Sequence, residues 1–264
     1  MKFAIIGKGF IYPRHKQAIE GLGHEVVMTC DIDTTKDADY TDWVKMFHSP
    51  EFKDIDAVSI CTPNYLHSVI AREASLLGKK VLCEKPLTPF QDYSGLEEVS
   101  TVLQLRNNTR VKELKATLGN DNQVSMVANV FRDEQFWNGW KGNEIKAGSP
   151  VLHIIGVHYL DLLIHLLGEP LEVFITDYTN RKATGGIKFE KGFGTYHFEI
   201  SPTRENQTRY LTVNGEKVKL SDQDNISYED LHKEVYKDFI DGKGTRLSDA
   251  RRSLDLREKL KYGA

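Results

Sequence analysis

An apolar run from Lys2 to Ile6 ends in Gly7-Lys8-Gly9 and passes at once into a helical stretch near Pro13. Glycines at such a junction let a strand turn sharply into a helix and bring an anion against exposed N–H groups at the helix N-terminus. The next strand-like run, Glu25 to Cys30, delivers Asp31 roughly 20 residues after the glycines, where a dinucleotide-binding unit places its ribose-binding acid. The third glycine of that fingerprint is missing, its place taken by Tyr12. A glycine pair alone also fits a plain turn, and Asp31 alone also fits a turn or a helix cap. Together they point to a dinucleotide held by Gly7, Gly9, Phe10, Ile11 and Asp31. Asp31 and Asp33 would repel a 2′-phosphate and no cation follows before Lys36, so NAD is expected over NADP.

The alternation continues with Ala57 to Cys61, a helix over His67 to Leu77, and Lys80 to Cys83. Strands separated by helices of this length imply a parallel sheet with right-handed crossovers. After Lys85 the pattern changes: a helix around Tyr93 to Val99, a short run Thr101 to Leu105 and a helix from Thr109 to Leu118 are expected. The connection from Leu96 to Thr101 is too brief for a full helix, loop and strand, so the last unit of the first sheet is trimmed. Strands are then expected at Gln123 to Phe131, Leu171 to Tyr178, Gly186 to Glu190, Gly192 to Ile200, Thr208 to Val213 and Glu216 to Leu220. Asn214-Gly215 between the last two is a strong hairpin signal. One helix, Val157 to Leu167, interrupts them and stops at Gly168 and Pro170. Helices over Tyr228 to Ile240 and Ser248 to Leu260 close the chain. The reading is an α/β protein with a Rossmann parallel sheet over residues 1–105 and an α+β domain with an open, mostly antiparallel sheet over 106–264.

Composition excludes some partners. With 35 basic and 38 acidic residues and a formal charge of −3, no broad positive field exists for a polyphosphate backbone, so no nucleic acid is expected. Apolar runs such as Leu162 to Leu167 fall far short of the ~20 residues of a spanning helix, and Met1 leads straight into a strand, so a cytoplasmic protein with no membrane partner is expected. Cys30, Cys61 and Cys83 have no zinc or CxxC spacing and read as reduced core residues.

Cys61-Thr62-Pro63-Asn64-Tyr65-Leu66-His67 and Glu84-Lys85-Pro86 resemble two motifs of the Gfo/Idh/MocA oxidoreductases, with the motifs expected after the fourth and fifth strands. A closer likeness, to bacterial UDP-N-acetylglucosaminuronate 3-dehydrogenases of surface-polysaccharide synthesis, is carried by five further stretches. These are Pro13-Arg14-His15, Leu103 to Arg106, Trp140 to Lys146, Ile155-Gly156-Val157-His158 and Asp230-Leu231-His232. The resemblance implies an NAD-dependent enzyme oxidising a sugar hydroxyl to a ketone. It implies that Thr62, Pro63, Asn64 and His67 line the nicotinamide ribose, that Glu84 contacts the nicotinamide side, and that Lys85 also touches the cofactor beside the reacting carbinol. His158 would be the acid/base histidine, with Arg106, Trp140, Lys141, His158 and His232 contacting an anionic nucleotide sugar.

Oxidation of a hydroxyl needs hydride loss from carbon, proton loss from oxygen and a donor for the developing alkoxide. Lys85 and His158 are the catalytic candidates, and sequence does not decide which removes the proton. As an isolated residue, Lys85 would be a solvated lysine and His158 a packed one; only the motifs favour function. A metal set of His153, His158, Asp161 and His165 lacks a tight ligand pair, so no metal is expected. Trp137, Trp140, Phe131 and Phe136 beside Arg132 and Lys141 either stack on a base or sugar or fill a core.

The chain departs from the family pattern at Ile154, which stands where Asp or Asn is usual four residues before the histidine, and at Gly148-Ser149-Pro150. Two alternatives therefore stay open: a dehydrogenase of a free sugar or an inositol-like polyol, and a catalytically silent Rossmann binding protein. Open antiparallel sheets in this family pack face to face, so a homodimer or homotetramer is expected. Light scattering checks this, and a monomeric mass would reject it.

Overall fold

The computed structural model describes residues 1–90, 92–220 and 231–262. In chain order the elements begin β1 (Lys2–Ile6), α1 (Tyr12–Glu20), β2 (Glu25–Cys30), α2 (Trp43–Phe47), β3 (Ala57–Ile60), α3 (His67–Leu76), β4 (Lys80–Cys83) and β5 (Ser100–Thr101). There follow α4 (Thr109–Thr117), β6 (Asn122–Phe131), α5 (Glu134–Asn138), α6 (Glu144–Ala147) and α7 (Val157–Leu167). The rest are β7 (Pro170–Tyr178), β8 (Lys182–Phe189), β9 (Gly192–Ser201), β10 (Thr208–Val213), β11 (Glu216–Val218), α8 (Leu231–Ile240) and α9 (Leu247–Tyr262).

The chain divides into two compact units: Met1–Thr88 with Asp92–Val102 and Glu229–Asp249, and Pro89–Gln91 with Leu103–Tyr228 and Ala250–Ala264. This corrects the simple division at residue 105. Helix α8 lies in the first unit because Val235, Tyr236 and Phe239 pack with Phe3, Ile5, Ala18 and Ile19 in one buried cluster. Of the helix expected over Tyr228 to Ile240, residues 228–230, including Asp230, lie outside the described residues.

The first unit holds a five-stranded sheet in the order β2-β1-β3-β4-β5, every pair parallel. Its buried strands read Phe3-Ala4-Ile5-Ile6 and Ala57-Val58-Ser59-Ile60, near-continuous apolar runs of the kind a sheet covered on both faces requires. The two family motifs follow β3 and β4, the third and fourth strands, not the fourth and fifth. Residues 31–42 are too polar for a strand. Asp33 accepts from Thr35 N and Asp39 from Thr29 N, and one isolated bridge, Cys30 to Tyr40, marks the place. The trimmed last unit is observed: β5 has two residues. No helix forms over Tyr93 to Val99, because Gly95 takes φ +71° and Arg72 draws the carbonyls of Asp92 and Ser94 to its guanidinium.

The second unit is built on a six-stranded sheet, β11-β10-β6-β9-β8-β7, antiparallel except for β6 with β9. Along β6, residues alternate strictly between buried and half-buried from Val124 onward, so one face is given to the core. Helix α7 is preceded by a π-helical segment, Pro150–Gly156. The continuous stretch Pro150–Leu167 has 18 residues and a mean hydropathy of 1.6, enough by length and composition to cross a membrane, yet 89% of it is buried in the protein. The expectation that apolar runs fall far short of a span is corrected to that extent.

The π-helical segment is braced from behind. Ser149 N donates to His153 Nδ1 (2.9 Å), so Nε2 carries the proton and donates to Glu258 Oε1 on α9 (3.0 Å). Burial above all, with Arg257 nearby, holds His153 down to about 4, while desolvation raises Glu258 but His153, Arg257 and Lys261 together bring it below its usual value. The unfolded ring therefore binds a proton more readily than the folded one. Stability from this group is complete above about pH 6.5 and is lost as pH falls toward 4. His165, at about 3, acts in the same direction. In urea titrations at several pH values, His153→Gln should lower stability at pH 7 by roughly 1–3 kcal/mol and flatten, without abolishing, the decline toward acid pH. Equal slopes in the two proteins would refute the assignment.

Candidate active site

A parallel sheet brings the C-terminal ends of its strands to one edge, and that edge collects most of the expected cofactor residues. Gly7 follows β1, Asp31 follows β2, Thr62 follows β3 and Glu84 follows β4. Gly7 has φ +97°, and a Cβ there would stand 2.7 Å from the backbone carbonyl of Cys61, so only glycine fits. Gly9 differs: a Cβ would meet nothing within 4 Å, so its missing side chain leaves space outward for a ligand. Asp31 is held from both sides, Lys8 N donating to Oδ2 (2.6 Å) and Asp33 N to Oδ1 (2.9 Å). Each oxygen keeps a lone pair for a ribose hydroxyl. The nearby ammonium groups are turned onto the backbone, Lys8 Nζ to Asp37 O (2.6 Å) and Lys36 Nζ to Lys8 O (3.0 Å). Phe10 is exposed and Ile11 half-buried at the turn. The residues present fit a dinucleotide.

The loop after β3 presents Thr62 and Pro63 half-buried and Asn64 buried. His67, expected to line the ribose, is 1% exposed. Its Nδ1 faces Pro86 O (2.7 Å) and its Nε2 faces Thr62 O (2.9 Å). Burial lowers its pKa against the pull of these two carbonyls, so the neutral ring donates to one of them. His67 is thus a tie between the loop after β3 and the turn after β4.

Glu84 points inward. Its Oε1 lies 3.0 Å from His15 Nε2 on α1 and 3.5 Å from His232 Nε2 on α8, and Oε2 accepts from Lys85 N (3.1 Å). His15 Nδ1 lies 2.8 Å from Tyr236 OH and 3.2 Å from Ser59 Oγ, and the two hydroxyls are 2.6 Å apart. Burial lowers His15, and a neutral ring fits one directed chain: Ser59 to Tyr236 to His15 Nδ1, then Nε2–H to Glu84. Desolvation raises the Glu84 pKa, but its histidine partners prevail and keep it well below the carboxylate range. Both Glu84 and His232 therefore depart from expectation. The Glu84 carboxylate is engaged with the interior, and His232, 3% exposed, is its neighbour in the first unit and not a surface contact. His15, Ser59 and Tyr236 had no assigned role in the sequence. Lys85, half-buried, begins the turn that this cluster holds.

The second unit carries the remaining candidates. His158 is the second residue of α7 and 7% exposed. Arg106 makes a two-pronged bond to Asp161 on the same helix, Nε to Oδ2 (2.8 Å) and Nη2 to Oδ1 (2.6 Å). Asp161 is so engaged, His153 is turned to Glu258, and His165 Nδ1 lies 3.3 Å from Lys115 Nζ, so three of the four residues considered as a metal set have other partners. Trp140 is half-buried and Lys141 exposed, its Nζ 5.7 Å from the Trp140 ring centre. Arg181 lies over Trp137 (4.2 Å) and Arg204 over Phe131 (4.6 Å), so this aromatic group carries more cations than the sequence suggested.

A parallel sheet with a glycine turn and an aspartate closing the next strand defines a Rossmann dinucleotide-binding unit, here in one chain with an α/β unit on a mixed sheet. The chain belongs to the Gfo/Idh/MocA oxidoreductase family, whose NAD-binding Rossmann domain matches residues 1–113 and whose C-terminal alpha/beta domain matches residues 117–260. Among solved structures, the WlbA (WbpB) dehydrogenase from Thermus thermophilus with NAD and alpha-ketoglutarate is similar at a TM-score of 0.90 and 28% identity, over 100% of this chain and 96% of that one. The same enzyme with NAD and UDP-GlcNAcA gives 0.84 over 100% and 95% at the same 28% identity. Among curated relatives, the levoglucosan dehydrogenase of Pseudarthrobacter phenanthrenivorans is 29% identical over 49% of this chain and 36% of its own length. The glucose-6-phosphate 3-dehydrogenase of Bacillus subtilis is 24% identical over 71% and 59%. The first curated relatives are thus matched over 36–41% of their lengths.

Loss of the anchored acid should weaken the dinucleotide directly. In calorimetric titration, Asp31→Ala should raise the Kd for NAD roughly ten- to a hundredfold, the worth of a charge-assisted bond pair. An unchanged Kd would remove Asp31 from the ribose site.

Proposed function

We propose that the protein is an NAD-dependent dehydrogenase that oxidises a sugar hydroxyl to a ketone, at C3 of a UDP-linked N-acetylated uronic sugar. The observation that carries the reading is the full-length likeness to the Thermus thermophilus enzyme crystallised with NAD and UDP-GlcNAcA. The stretches Pro13-Arg14-His15 and Ile155 to His158 support the same branch.

When bound, NAD supplies the hydride acceptor. The chain's own groups do the rest. Gly7 and Gly9 leave room for the pyrophosphate, Asp31 receives the adenosine ribose, and the acids Asp31 and Asp33 disfavour a 2′-phosphate. The Lys85 ammonium stabilises alkoxide character as the hydroxyl proton leaves. His158 takes or relays that proton near neutral pH. Ile154 carries no group that can orient a hydroxyl, so orientation falls to other side chains of the second unit.

A second reading keeps the chemistry and changes the substrate to a free or anhydro sugar, on the likeness to levoglucosan dehydrogenase. Lys141 discriminates: its removal should impair turnover of a charged nucleotide sugar and leave that of a neutral sugar unchanged.

The test is a single-turnover assay with NAD and UDP-N-acetylglucosaminuronate, read by mass spectrometry as loss of two hydrogens from the nucleotide sugar. Product is expected from the wild type, reduced at least about a thousandfold in Lys85→Ala, roughly the loss of one transition-state donor. No product with confirmed NAD binding would overturn the substrate assignment, and no product with any sugar would favour a silent binding protein.

A further inference from the structure

The cluster around Glu84 contains a group that the hydrogen-bond network leaves unexplained. His15 from α1, Glu84 after β4 and His232 from α8 place three donor atoms within 4.8 Å of one another. His15 Nε2 has a normal bond to Glu84 Oε1 at 3.0 Å. His232 Nε2 does not: the residue is 3% exposed, the atom makes no hydrogen bond, and its 3.5 Å separation from Oε1 exceeds the ~2.7–2.9 Å of a charge-assisted bond. A buried ring nitrogen without a hydrogen bond is costly, and native interiors contain few.

A cation between the rings and the carboxylate would resolve this. Zinc–nitrogen bonds of about 2.0–2.1 Å place tetrahedral ligand atoms about 3.3 Å apart, and the observed separations of 3.0 and 3.5 Å bracket that value. Metal-bound histidines are oriented by a hydrogen bond at the far nitrogen. His15 Nδ1 has Tyr236 OH at 2.8 Å and Ser59 Oγ at 3.2 Å, hydroxyls that accept as well as donate. The ring can therefore shift its proton to Nδ1 and free Nε2, with the Tyr236 and Ser59 hydroxyls rotating to reverse the direction of their chain. Two imidazoles and one carboxylate suit zinc and its first-row neighbours, while magnesium and calcium prefer oxygen alone.

We propose that His15, Glu84 and His232 form a buried site for a divalent transition-metal ion, zinc by donor type. The ion is structural. It ties α1 and α8 to the turn that begins at Lys85, and neutralises the carboxylate at the centre of the cluster. The proposal does not depend on which sugar, if any, the protein oxidises.

Cobalt(II) added to the full-length, chelator-treated protein is the probe, because cobalt replaces zinc and reports four- or five-coordination by visible absorption. About one cobalt per chain, displaced by zinc, is expected, with the absorption lost in His232→Ala and kept in His48→Ala, an exposed histidine elsewhere. Should His232→Ala fail to fold, as judged by circular dichroism and NAD binding, His232→Asn and Glu84→Gln take its place with the same expected loss. No absorption in the wild type, or absorption that survives in a folded variant of the triad, would overturn the site and leave a cluster held by hydrogen bonds alone.

Discussion

The first unit is organised around a buried carboxylate. An ionised Glu84 in the interior is tolerated only if polar groups surround it, and these come from three places in the sequence. The backbone N–H of Lys85 is local and His15 arrives on α1, while His232 on α8 stands 3.5 Å away without a hydrogen bond. The nucleotide-binding unit is therefore incomplete until the segment at 231–249 has returned to it. The apolar side of the same helix agrees. Tyr236 is fully buried, meets Phe3 edge-on at 5.7 Å, and also supplies the hydroxyl that orients His15. One helix thus closes the core and orients His15 against the carboxylate beside the turn of Lys85.

Backbone proximity is the second constraint at that edge. At Gly7 the chain passes so near Cys61 that no Cβ fits, and His67 joins the loop after β3 to the turn after β4 through their carbonyls. These restraints act on neighbouring strand ends, so the loop with Thr62 and Asn64 and the turn with Lys85 are fixed relative to each other. Preorganisation of this kind spares a bound ligand the entropy of ordering its own site.

What the sequence made legible follows from the range over which each signal acts. The glycine turn, Asp31, helix α7 and the Asn214-Gly215 hairpin are local, set by φ preference and apolar periodicity, and appear where expected. The expected helix at Tyr93 to Val99 failed because Arg72, about twenty residues earlier, claims carbonyls that a helix needs. The inward turn of Glu84 was hidden for the same reason: His15 and Tyr236 are 221 residues apart, and no spacing rule links them. His232 falls in a motif, but a motif reports residue type and not direction, so its burial beside Glu84 is not legible from it. The π-helical entry to α7 was also invisible, because its apolar composition suits an α-helix equally well.

The second unit applies the same electrostatic logic to a different end. Arg106 stands out in the sequence as a free cation for an anionic ligand, but its guanidinium is paired with Asp161, which is 1% exposed. A buried aspartate without Arg106 would be an uncompensated charge, so the arginine is first of all a partner to the helix that carries His158. Its positive charge is largely spent on that pairing. Lys141, Arg181 and Arg204 differ, for their cations rest on the rings of Trp140, Trp137 and Phe131, which take up no full charge. In the proposed function, selection between a charged and a neutral sugar would rest on this aromatic face, while the Arg106 pair holds the helix.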